Sequence, residues 1–175
     1  MTRDGGALPP LHLQLAGPAA RPNGHPAHAF VLPELAIGEY PTPEDAAWLG
    51  DAHGFGAVVS LQDDLDLHRK GLEVSSLARA YTAKRIAFVR HPAADGDLDA
   101  LRGILDAAVD SLHTHLAAGV RVYLHCNAGL NRAPTVAIAY LHVHRGLALQ
   151  AARDQVKAAR TCVPYWRLLM AHYAG

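Results

Sequence analysis

The chain has 175 residues, half of them hydrophobic, and its 16 Lys and Arg are balanced by 16 Asp and Glu. That length supports one compact domain burying about 70% of its unfolded-chain surface, and the absence of net charge removes any general attraction to nucleic acid or an anionic membrane. Two cysteines do not make a secreted disulfide framework, no run reaches membrane-spanning length, and the N-terminus lacks a signal-peptide plan, so a cytoplasmic location is expected.

Residues 1–27 are rich in Gly, Pro and Ala without sustained periodicity and read as a flexible arm; the alternating stretch Leu11–Leu15 would at most add an edge strand. The structured domain is expected over 28–175. Phe30-Val31-Leu32 and Leu35-Ala36-Ile37-Gly38 read as two short strands. Thr42, Pro43, Glu44 and Asp45 supply an N-cap, a proline at the first helical position and first-turn acids, predicting a helix from Pro43 to about His53 that stops at Gly54. Gly56–Leu61 is a β-branched run suited to a covered central strand, and the acidic run Gln62–Asp66 after it reads as a solvated turn. A short helix over Ser75–Ala83 and a strand over Arg85–Arg90 come next. Leu98, Leu101, Leu105, Ala108, Leu112 and Leu116 then form the stripe of an amphipathic helix ending near Gly119, with Asp97 at its N-cap. Beyond the strand Val120–His125, helices are predicted over Pro134–His144, over 148–160 and from Tyr165 onward. This alternation predicts an α/β domain with a mostly parallel central sheet and helices on both sides.

The stretch from Val120 to Pro134 carries the chemistry. A strand that feeds a helix through a short Gly-containing loop gathers backbone N–H groups and the positive helix end into one concavity, which suits a phosphate dianion. The donors would come from Asn127, Ala128, Gly129, Leu130, Asn131 and Arg132. Cys126 opens the loop, where positive potential favours thiolate over thiol. Arg132, six residues on, offers a planar fork for two phosphate oxygens. A buried cysteine beside an ordinary turn would leave the offsets of His125, Gly129 and Arg132 unexplained. The histidines make no metal site, because the pairs His113/His115 and His142/His144 diverge by roughly 200° on their helices. Neither metal nor cofactor is expected, and Cys162 reads as a small buried residue.

The loop HCNAGLNR is similar to the HCxxGxxR loop of the cysteine-dependent protein tyrosine and dual-specificity phosphatases. The pattern resembles most the plant glucan phosphatase branch, through IGEYPTPEDAAWL, the strand ending VVSLQDDLD, and the tail Arg160-Thr161-Cys162-Val163-Pro164. The likeness runs over about residues 30–172. It implies a dual-specificity-type fold and a phosphocysteine mechanism with Cys126 as nucleophile, Arg132 and the loop amides on the phosphate, and His125 in support. It also implies a general acid upstream of the cysteine. Asp95 lies at the family's separation, whereas Asp97 is accounted for as a cap. Ala133 stands where most members carry a hydroxyl that helps the sulfur leave, and Thr135 would substitute for it if the helix turn brought it close. Asn131 replaces a glycine of the glucan branch, and Ala94 and Gly96 replace its aromatic residues. The implied substrates are a phosphorylated protein or a small phosphate ester, with phosphoglucan or another non-protein ester as the alternative. A non-catalytic phosphate-binding module is the reading from another class. A rhodanese-type sulfurtransferase does not match the spacing, and oligomeric state is not legible.

Overall fold

A computed structural model of the chain describes residues 20–174. Strands β1 (His28–Leu32), β2 (Leu35–Gly38), β3 (Phe55–Ser60), β4 (Ala87–Arg90) and β5 (Arg121–His125) form one sheet in the order β1-β2-β5-β3-β4. The β1–β2 hairpin is antiparallel and every other pairing is parallel, as the alternating elements of the sequence lead one to expect. Helices α1 (Asp64–Arg69), α2 (Val74–Ala83), α3 (Leu98–Ala117), α4 (Arg132–Arg145), α5 (Leu149–Ala159) and α6 (Trp166–Tyr173) cover the two faces.

The central strand β5 shows why both faces must be covered. Val122 and Leu124 point into a core shared with α3, α4, α5 and α6, while Tyr123 points into a second core built with Leu67, Leu77, Tyr81 and Leu49. All three β5 side chains are 0% exposed, so the strand can read as a continuous apolar run. In α3 the stripe Leu101, Leu105, Ala108 and Leu112 is fully buried, and the Asp97 carboxylate caps the helix by accepting from the Ala100 N–H at 2.9 Å. Leu98, which the periodicity also assigns to the stripe, instead stands 40% exposed at the first turn. The carboxyl ends of β2, β3, β4 and β5 lie side by side, and the loops leaving them meet where open parallel sheets place their ligands.

Three local expectations change. The predicted Pro43–His53 helix is a 3₁₀ turn at Pro43–Asp45 followed by a π turn at Trp48–Ala52. The wider turn seats the Trp48 ring among His25, His28 and His53. The strand predicted from Arg85 begins at Ala87, because Arg85 takes a left-handed φ of 56° to end α2. The acidic run is not a solvated turn. Asp63 and Asp66 cap each other's amides, Asp66 N donating to Asp63 Oδ1 at 2.8 Å and Asp63 N to Asp66 Oδ2 at 3.2 Å, and this starts α1.

Residues 20–27, which the composition assigns to the arm, are fastened to the body. The Glu39 carboxylate accepts from the amides of Ala20, Arg21 and Ala27 at 2.5, 3.1 and 2.8 Å. Arg21 Nη2 donates to both oxygens of the buried Asp45 at 2.8 and 3.0 Å. Leu11–Leu15 lies outside the described residues.

Arg85 generates a stability prediction. Its side chain is exposed and its left-handed backbone costs a residue with a Cβ about 1 kcal/mol. Arg85→Gly should therefore raise the urea-unfolding free energy by up to about 1 kcal/mol, less what glycine adds to unfolded-chain entropy. A clear loss of stability would contradict this account of the turn.

Candidate active site

The loop between β5 and α4 is shaped by what its carbonyl groups do. Cys126 O lies 3.0 Å from His125 Nδ1, and Asn127 O accepts from Tyr40 N at 3.0 Å. Arg160 donates from Nη2 to Ala128 O at 2.8 Å and from Nε to Gly129 O at 3.0 Å. Leu130 O accepts from Val163 N at 2.7 Å, and Asn131 O accepts from the Thr135 hydroxyl at 2.7 Å. Each carbonyl from Cys126 to Asn131 is thus held by a partner outside the loop. Among the described residues, none of the amides of Asn127–Asn131 donates a backbone hydrogen bond. Carbonyls turned outward leave those N–H groups facing the concavity in front of Cys126, the arrangement that binds an oxyanion.

Two glycines permit the loop to sit this deep. Gly129 has φ +67°, and a Cβ there would come within 2.7 Å of the Gly38 Cα. A Cβ on Gly38 would lie 2.7 Å from Ala27 O and would also collide with the Tyr123 hydroxyl. Gly38 is held in turn by its neighbour Glu39, whose carboxylate fastens residues 20–27 and whose carbonyl accepts from the Tyr123 hydroxyl at 2.7 Å. The N-terminal segment therefore backs the loop through one layer of glycine.

Arg132 is 1% exposed. Its Nη1 donates to Asp66 Oδ2 at 2.7 Å, to Ala93 O at 2.7 Å and to Leu61 O at 3.4 Å. Among the described residues Nε and Nη2 are buried without a hydrogen-bond partner, although Asp95 Oδ1 stands 3.5 Å from Nε. The guanidinium is fixed by one nitrogen and presents the edge formed by the other two, the geometry of a bidentate anion clamp. Burial works against its charge, but Cys126, Asp66 and Asp95 outweigh burial and raise its pKa. Asp66 shows the converse. Burial would raise its pKa, yet the Arg132 charge and hydrogen bonds from Arg132 and Asn127 bring it below the ordinary carboxylate value. Asp66 Oδ1 accepts from Asn127 Nδ2 at 2.7 Å, and Asn127 Oδ1 accepts from Gln62 Nε2 at 2.8 Å.

The sequence-derived residues separate into groups. Cys126, Arg132 and Asp95 are brought together, with Cys126 only 3% exposed. Asp97 is engaged as the helix cap. Burial brings the His125 pKa down to about 4, so the ring is neutral at physiological pH and donates from Nδ1 to its neighbour's carbonyl. Thr135 does not stand free as a replacement hydroxyl: it donates to Asn131 O and accepts from Tyr165 N at 2.8 Å. Cys162 is buried and unbonded to Cys126, and burial raises its pKa. Among the described residues no group of three or more His, Cys, Asp or Glu is placed to hold a metal ion.

Asp66, Gln62 and Arg160 are the site residues that sequence reasoning missed. The Asp63/Asp66 spacing ahead of Leu67 is a capping-box signal that was available in the chain. Nothing in local sequence announces that Arg160 reaches back over 31 residues to the loop.

The Arg132–Asp66 pair sets a stability prediction. Asp66→Asn takes the hydrogen-bonded carboxylate away from a buried guanidinium, and unfolding in urea at neutral pH should show a loss of about 3 kcal/mol. Because the folded-state pKa of Asp66 lies below its unfolded value, its contribution is complete above that unfolded value and fades as pH falls through the folded one. Wild type and variant should therefore converge in acid. Equal stability at neutral pH would refute the role given to Asp66.

Comparison with known proteins agrees with this geometry. Residues 37–174 match the model of the dual specificity phosphatase catalytic domain. The phosphoglucan phosphatase DSP4 of Castanea sativa is 33% identical over 138 residues, which is 77% of this chain and 36% of the relative. Laforin of Mus musculus is 25% identical over 80% of this chain and 46% of its own length. The chain thus spans less than half the length of these two curated relatives. Among solved structures, the PTP-2 phosphatase of Cydia pomonella superposes with a TM-score of 0.69 at 21% identity, covering 84% of this chain and 88% of that one. Tk-PTP in its active form gives a TM-score of 0.66 at 23% identity, covering 84% and 93%. With this match over residues 37–174, and with its mostly parallel sheet, carbonyl-out loop and buried arginine fork, the chain belongs to the dual-specificity phosphatase family.

Proposed function

We propose that this domain hydrolyses phosphomonoesters through a phosphocysteine intermediate, as a protein tyrosine or dual-specificity type of phosphatase. The observation that carries this reading is the unpartnered Nε/Nη2 edge of buried Arg132, set beside Cys126 and the inward amides of the loop. A buried polar edge without a partner is costly, and a tetrahedral dianion supplies the acceptors that edge lacks. In the first step the Cys126 sulfur attacks phosphorus, the phosphorus–oxygen ester bond breaks, and Asp95 gives its proton to the departing oxygen. In the second, water attacks the phosphocysteine, Asp95 recovers the proton, and the phosphorus–sulfur bond breaks to return thiolate and inorganic phosphate. Loop amides and Arg132 hold the equatorial oxygens in both steps. His125, neutral and buried, orients the Cys126 carbonyl and takes no proton from substrate.

The relatives' names range over a phosphoglucan phosphatase, a phosphatidylglycerophosphate phosphatase and dual specificity protein phosphatases, which keeps a non-protein ester as the second reading of the substrate. Both readings share the loop, in which Arg132 is the only cationic side chain between Cys126 and Ala133.

The roles separate kinetically. Arg132→Lys removes the fork but keeps a charge, and should lower kcat/KM for an aryl phosphate by about 10²–10³. Asp95→Asn should slow an alkyl phosphate far more than an aryl phosphate, whose phenolate departs unaided. Asp97→Asn should change neither, because asparagine caps a helix as well as aspartate. The check is a series of esters graded by leaving-group pKa. Steeper leaving-group dependence in Asp97→Asn than in Asp95→Asn would reverse the assignment, and undiminished turnover in Arg132→Lys would remove the basis of the reading.

A further inference from the structure

Beside the phosphate loop, between the start of α3 and the start of α6, lies a groove of ≈ 260 Å³ walled by Leu98, Pro164, Tyr165, Trp166 and Leu168, with the exposed Arg167 at its edge. It leaves Leu98 40% exposed, an aliphatic side chain held in solvent three residues after Asp95. Trp166 is half-buried, with the Arg153 guanidinium 4.6 Å from its ring centre.

Hydrogen bonds join this groove to the reacting centre. Val163 N donates to Leu130 O, Asn131 Nδ2 donates to Val163 O at 2.8 Å, and Tyr165 N donates to the Thr135 hydroxyl. One wall is thus pinned to the loop and the other continues from the Asp95 segment. The Tyr165 ring reaches between them. Its hydroxyl is buried and faces the Gly96 amide without closing a hydrogen bond to it. Burial and then the Asp95 charge raise its pKa, which places the hydroxyl in the field of that carboxylate.

The groove itself is lined mainly by apolar and aromatic side chains. Arg132 faces the phosphate site, Asp95 stands beside it, Asp97 caps α3 and Asp99 pairs with Arg102, so among the described residues Arg167 is the one charged side chain in the groove's own lining.

We propose that the groove is the subsite for the alcohol portion of the substrate and takes an uncharged apolar group, an inference that rests on the phosphomonoesterase reading. The site then favours a phosphate carried next to an apolar moiety over one carried on a polar alcohol, and Leu98 and Trp166 set that preference.

The test compares 4-biphenylyl phosphate with phenyl phosphate, whose leaving groups are of similar acidity, in kcat/KM for the active protein and in affinity for Cys126→Ser. The biphenylyl ester should be favoured by about tenfold in both, the effect of one well-filled apolar subsite. Leu98→Ser, at an exposed position, and Trp166→Ala should each bring the ratio towards one. Val143→Ser, which removes an exposed side chain near the far end of α4, should leave it unchanged. No preference in the parent protein, or one that survives Leu98→Ser, overturns the proposal. Failure of the active protein to cleave either ester, while Cys126→Ser still binds the biphenylyl ester more tightly, would overturn the phosphomonoesterase reading and leave the apolar subsite standing.

Discussion

A guanidinium that is 1% exposed must be compensated where it sits, and the site is arranged around how Arg132 meets that demand. On one side Asp66 and the carbonyls of Ala93 and Leu61 take Nη1. On the other, two nitrogens have no hydrogen-bond partner among the described residues. Asp66 cannot be supplied by a solvated turn. It has to be carried on a helix rigid enough to hold a buried carboxylate 2.7 Å from the arginine, and the capping box that starts α1 provides that rigidity. The same carboxylate orients Asn127, the residue after Cys126, so one acid fixes both the arginine and the beginning of the run of loop amides.

The loop obeys a second constraint, that each outward carbonyl needs a donor. The donors to the four carbonyls from Asn127 to Leu130 come from regions distant in sequence: Tyr40 after β2, Arg160 at the end of α5, and Val163 in the segment before α6. The catalytic-type loop is thereby tied to both ends of the domain. The close approach of Gly38 and Gly129 sets the depth at which it rests, and Glu39 holds residues 20–27 behind that contact.

Much of this was legible in the chain because the strongest signals are local. Strand β5, the amphipathic α3, the Asp97 cap and the Cys126–Arg132 spacing each depend on a few neighbouring residues. What escaped depends on tertiary context. An acidic run looks solvated until Arg132 arrives from 66 positions away to neutralise one member of it. A Pro-initiated segment with good caps looks α-helical until Trp48 must pack among three histidines. Leu98 fits the α3 stripe by period, but it falls in the first turn, where the groove beside α6 replaces a packing partner. Thr135 has the chemistry of a replacement hydroxyl, and only the fold reveals that its proton is spent on Asn131 O.

The engagement of Thr135, together with alanine at 133, bears on the central claim. Without a free hydroxyl at the sulfur, breakdown of a phosphocysteine lacks its usual assistance, so the intermediate should accumulate during turnover. Acid quenching of the enzyme while it consumes an aryl phosphate, followed by mass spectrometry of its peptides, tests this directly. The account predicts one added phosphoryl group on the peptide bearing Cys126, and neither turnover nor label in Cys126→Ser. Sustained hydrolysis with no phosphorylated peptide, or with turnover preserved in Cys126→Ser, would contradict it.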